Sequence, residues 1–252
     1  MPAPAPAVFS YAVGTYRYEI RNEATIASVS GDTRVDTVVT RAVLTYHLAQ
    51  GSGDSLDVHG TVDTFTVSGG HGAPVSPLPQ PIPFRFTATS FGAVGPSLVD
   101  SASVCGAPMS TLMVVAHDLL PVIPVALSHG AEWQDSTATA TCRAMVPVTS
   151  HASRNARAEW VVVPPEIAGV AAQTGYRILR TTTGSLAGEG QAAGRQVFLT
   201  GTSSTTSALY VSPVIGMLLG GVGDATTHLI IDTGTQRQEF IQQVRQRVSL
   251  LH

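Results

Sequence analysis

Residues 110–127 read STLMVVAHDLLPVIPVAL, the one run in the chain long and apolar enough for a buried helix. Ser110 can accept a hydrogen bond from a first-turn backbone N–H, and Leu112, Val115, Leu119 and Leu120 recur at helical spacing. Pro121 and Pro124 end the pattern, which places a helix of about three turns near 110–120. Everything around it reads as strand or turn. One short apolar rod among many strands predicts a mainly β protein: a large antiparallel meander sheet or open half-barrel, with the helix packed on it.

Towards the N-terminus, Tyr16, Tyr18 and Ile20 alternate with Arg17, Glu19 and Arg21, the period of a half-exposed strand. Val35 to Leu48 and Leu56 to Val67 follow as strands, with turns at Ser30–Asp32 and Gly51–Asp54. From 69 to 83 the chain turns to Gly and Pro, with Pro74, Pro77, Pro79, Pro81 and Pro83 nearly alternating. Such a segment lacks ladder donors and is predicted as an extended connector. Phe84 and Phe86 open a further strand.

Towards the C-terminus, Thr137–Val148, Tyr176–Thr183, Gln196–Thr205 and His228–Asp232 read as strands, and Trp160–Val163 as a short apolar run closed by Pro164 and Pro165. The glycines of 184–194 and of 220–224 read as turns between them. Residues 236–251 fit either period; the strand reading is preferred, and it pairs the terminal Val248-Ser249-Leu250-Leu251 with an early strand. The predicted organisation is an extended Ala/Pro tail over 1–12 and a single β-rich domain over 13–252.

Composition narrows the function. At 252 residues and 44% hydrophobic, the chain can bury a sizeable core. All 14 basic residues are Arg, and a net charge of −3 leaves no footprint for nucleic acid. No stretch reaches the ~18 apolar residues of a membrane span. The eight histidines lie singly, without HxH or HExxH spacing, and GxSxG and SxxK are absent. A non-catalytic protein without metal or cofactor is expected. Cys105 and Cys142 fit no zinc or CxxC pattern, so they are either a disulfide across the helix or two small buried hydrophobes.

The opening GTYRYEI strand, the Cys-preceded helix ending LLPVIP, the following SHGAEWQDS and the second meander together resemble secreted β-proteins and lipoproteins of bacteria with GC-rich genomes. In architecture the order is also similar to the lipoprotein-carrier type, an open antiparallel half-barrel with a helix against its concave face. The proline connector and the lack of a lipidation Cys at the start depart from that pattern. The resemblance implies an apolar groove rather than a catalytic set, and a place in the periplasm or cell envelope, peripheral to the membrane.

Two functions are therefore expected. The Ala/Pro tail and the connector read as segments that lie against something. They point to an accessory or structural subunit, with protein partners on the extrinsic face of a membrane complex such as a respiratory or photosynthetic one, docked through Pro2, Pro4, Pro6 and Phe9. The alternative is a carrier or binding protein for a lipid or other apolar ligand, held in a groove lined by Leu112, Met113, Val115 and Leu119. A cavity of about 300 Å³ or more would favour the carrier, and a solid core the subunit.

Overall fold

The computed structural model describes residues 5–29, 35–69, 81–92, 105, 110–143, 146–168, 173–192 and 194–251. Twelve strands are found among them: β1 (Ala7–Val8), β2 (Gly14–Ser28), β3 (Val35–Gln50), β4 (Ser55–Gly69), β5 (Ile82–Thr89), β6 (Ala126–Leu127), β7 (Glu132–Arg143), β8 (Val146–Val163), β9 (Gln173–Ala192), β10 (Arg195–Ser212), β11 (Met217–Asp232) and β12 (Arg237–Leu251). Helix α1 spans Ser110–Asp118 and a single turn, α2, spans Pro165–Ala168.

Ten strands form one antiparallel sheet in the order β5-β4-β3-β2-β12-β11-β10-β9-β8-β7. The fold is mainly β, an open half-barrel with little helix. Two meanders, β2–β5 and β7–β12, meet where β12 pairs with β2, with Val248 opposite Ile20 and Leu250 opposite Tyr18. The terminal VSLL thus joins an early strand through the centre of the sheet. Strands of up to 20 residues curl strongly enough that Arg143 Nη1 on edge strand β7 donates to Gln242 Oε1 on β12 at 3.1 Å, across the four strands between them.

The core fills one end of the concave face. Ala116, Leu119 and Leu120 of the α1 region, with Ile123 and Leu127 beyond it, pack on Tyr18, Ile20, Leu44 and Tyr46, all buried. Pro121 and Pro124 prevent helix across this buried crossing, so its carbonyls need other donors. Aromatic side chains supply several of them. Tyr46 Oη donates to Ala116 O (3.0 Å), Tyr11 Oη to Pro121 O (2.9 Å), Trp133 Nε1 to Val122 O (3.1 Å) and Tyr176 Oη to Leu127 O (3.2 Å).

Several expectations are corrected. The glycines at 184–192 and 220–223 stand inside β9 and β11, not in turns. Close approach explains them: a Cβ on Gly184 would lie 2.7 Å from His151 O, and one on Gly221 2.8 Å from Ala208 O. Trp160–Val163 is the end of the 18-residue β8. The connector gives way to strand at Ile82, and Pro83 is tolerated because β5 is an edge strand; residues 70–80 lie outside the described residues. The described part of the tail, from residue 5, belongs to the fold: β1 pairs with β6, and Phe9 is fully buried against Tyr11, its ring edge-on at 5.1 Å. Phe9 therefore belongs to the chain's own core and is not offered to a partner.

Candidate functional site

Along the inward face of β8, Val148, Arg154, Ala156 and Ala158 share one parity and are buried. On β9 the same face carries Tyr176, Ile178, Arg180 and Thr182, and on β10 Ser203, Thr205, Ser207 and Leu209. Registry aligns these residues into rows across the sheet. One row runs Asn22, Gln246, Gly223, Ser207, Arg180 and Ala156; the next runs Val244, Ala225, Thr205, Thr182, Arg154 and Asp135. The concave face is thus layered. The main apolar core lies at one end, a smaller cluster of Val148, Leu186 and Leu199 at the other, and a polar band between.

The polar band walls a cavity of about 330 Å³, roofed by Val115, Asp118 and Leu119 of the α1 segment. Its room comes from small residues: Gly221, Gly223 and Ala225 of β11. Two of the four expected groove residues, Val115 and Leu119, line it. The side chains of Leu112 and Met113 lie outside the described residues, as do Pro2 and Pro4 of the expected tail, while Pro6 is exposed. Cys105 and Cys142 are bonded, with Cα atoms 4.9 Å apart, which ties the segment leading into α1 to β7 one residue before Arg143.

Arg154 is 7% exposed and donates through Nη2 to Asp118 Oδ1 at 2.8 Å, with Nη1 3.7 Å from Asp135 Oδ1. Burial, the strongest influence on the Asp118 carboxyl, would raise it. The His117 imidazole and the guanidinium groups of Arg154 and Arg180 outweigh burial and bring it down to about 2. His117 Nδ1 stands 3.7 Å from Asp118 Oδ1, beyond hydrogen-bond reach, so Arg154 is the carboxylate's direct partner. Asp135 is shifted the other way, pushed up by burial. Burial likewise lowers Arg143 and Arg180. Both remain cations, since guanidinium does not lose its proton in proteins.

Three arginines thus face two carboxylates, and neither Arg180 nor Arg143 makes an ion pair among the described residues. Among the residues that line the cavity, Arg180 Nε, Arg154 Nε, Ser207 Oγ and Asn22 Oδ1 are sealed from solvent and have no hydrogen-bond partner. No group of three or more His, Cys, Asp or Glu able to hold a metal occurs among the described residues. Chemically the arrangement offers hydrogen-bond donors and positive charge. The arginines were passed over in the sequence because no motif carries them. Their signal was parity: Arg154 and Arg180 stand in phase with residues that must face inward.

No protein-family model matches the sequence, and no curated protein matches it. A solved structure described as "Asymmetric conductivity of engineered proteins" aligns over 94% of this chain and 100% of its own at 8% identity, with a TM-score of 0.24. A superposition that loose carries no argument about this chain. The class that the strand order and the cavity define is an open antiparallel half-barrel with a helix-roofed lumen.

Proposed function

We propose that the protein is a non-catalytic carrier or binding protein that holds a small organic ligand in the lumen between the sheet and α1. The cavity of about 330 Å³ carries this reading, since it falls within the range of small-molecule sites and exceeds the voids of a plain core. The bonded Cys105 and Cys142 support an oxidising compartment such as the periplasm or cell envelope. Native mass spectrometry of the full chain purified from its own cells tests it. The expected result is a bound mass that organic extraction removes and that Ala225→Phe, which fills the lumen, prevents. A bare chain mass, together with no saturable uptake of a dansylated fatty acid, would overturn it.

The second reading is an accessory subunit docked on the extrinsic face of a membrane complex. It is favoured by Val8 (76% exposed), Val13, Val125 and Val214 (91% exposed). Backbone bonds from Phe9 N to Val125 O and from Ala12 N to Gly216 O gather these residues at one pole. Co-purification from native membranes, lost when Val8 and Val214 become Asp, is its test; a protein that elutes alone would sink it.

A further inference from the structure

The charge of the described lumen is unbalanced, with Arg143, Arg154 and Arg180 in its lining against Asp118. Arg154 is committed to Asp118 and Asp135. Arg180, in the same wall, makes no ion pair, and its Nε has no partner although it is sealed from solvent. Ser207, directly opposite Arg180 in the β9–β10 ladder, also has a sealed and unpartnered Oγ. A guanidinium set in a cavity wall with a sealed, unpartnered Nε and no carboxylate within ion-pair distance is costly, and native structures seldom keep one without a use. Thr182 and Thr205 add hydroxyls from the adjoining row, and Arg143 enters from the far rim. Beside this set lie apolar residues, Val115 and Leu119 above it and Val244 and Val248 in the floor.

Resting on the carrier reading, we infer that the lumen is an oxyanion site. Arg180 and Ser207 receive the carboxylate or phosphate of an amphipathic ligand, and the apolar wall under α1 takes its hydrocarbon part. Guanidinium presents its N–H groups in a planar fork that matches both oxyanions, whereas a neutral alcohol offers it a single acceptor. The row of residues spaced across β9 and β10 is fixed by the ladder, so the donors are set before the ligand arrives.

Calorimetric titration of the full chain with decanoate, decyl phosphate and decanol at low salt tests the inference. The charged probes should bind about tenfold or more tighter than decanol, a margin typical of a hydrogen bond to a charged group. Arg180→Met should erase that margin while decanol binding persists, and Arg180→Lys should restore part of it. Inorganic phosphate and acetate serve as a further arm. If they match the alkylated probes, the source is a free anion; if only the alkylated probes bind, it is a lipid-like molecule, and either outcome supports the site provided Arg180→Met abolishes it. Equal affinities for decanoate and decanol, or a margin that survives Arg180→Met in a folded variant, overturn the oxyanion site and leave the carrier standing. No binding by any probe overturns both.

Discussion

Asp118→Asn removes the negative charge that faces Arg154 across the 2.8 Å bond while keeping the shape of the side chain. Its magnitude follows from the titration of the carboxyl. A fall from 3.8 to about 2 corresponds, at about 1.36 kcal/mol per unit, to roughly 2 kcal/mol of preference for the charged form in the fold. The side chain is 32% accessible, so solvent screening brings the expectation to about 1–2 kcal/mol. Because the folded value lies below the unfolded one, this stability is complete above about pH 4 and is lost as pH falls from 3.8 to about 2. Urea unfolding of both proteins across pH 2 to 7 reads it directly. The variant should unfold earlier at pH 7, by roughly 0.5 M urea, and most of the gap should close by about pH 2, where about half of the wild-type carboxyl is protonated. Distant titrations are shared and cancel in the difference, whereas the Asp135 carboxyl, which the Asp118 charge helps to raise, is relieved of that push in the variant. A gap of the same size at pH 2 and pH 7 would refute an electrostatic origin and assign the loss to packing.

Three further outcomes are expected. Replacing Cys105 and Cys142 together with Ala opens a loop of 37 residues and should cost about 4 kcal/mol; reductant should shift the wild type to the variant's urea midpoint and leave the variant unmoved. Tyr46→Phe removes the side-chain donor to Ala116 O, which keeps Leu119 N at 3.3 Å, so a loss of about 0.5–1.5 kcal/mol is expected, and hydrogen exchange should quicken in α1 more than in β2. Gly60→Ala would place a Cβ 2.1 Å from Thr45 O and 2.6 Å from the Phe84 ring, so destabilisation of about 1–3 kcal/mol is expected by thermal unfolding, with no compensating gain from Phe84→Leu if the backbone contact dominates.

The fold was legible wherever one face of a strand is buried. Tyr18 and Ile20 alternate with charged neighbours because one side of β2 meets the core and the other meets water. The same alternation failed as a guide through Gly184–Gly190 and Gly220–Gly223. There a curled sheet brings strands so close that glycine serves the ladder itself and mimics a turn in the sequence. Phe9 sat in an Ala/Pro tail whose composition gave no hint that a short bridge to β6 would carry its ring into the core. Of the cavity, the apolar roof at Val115 and Leu119 could be read from helical spacing. The arginine wall could not be read from motifs, because its members come from separate strands and meet only through registry.

The seam between β2 and β12 bears on how the molecule is made. Among the strands, β12 emerges last from the ribosome, yet its partners β2 and β11 lie in the middle of the sheet. Until it arrives, β2 presents a bare inner edge, and the two meanders are separate ribbons with nothing holding them in register. Nascent chains would carry exposed pairing edges that invite association with other copies. Loss of the 15 residues of β12 would split the sheet in two rather than trim its margin. The chain therefore commits to its shape late, in a single closing step.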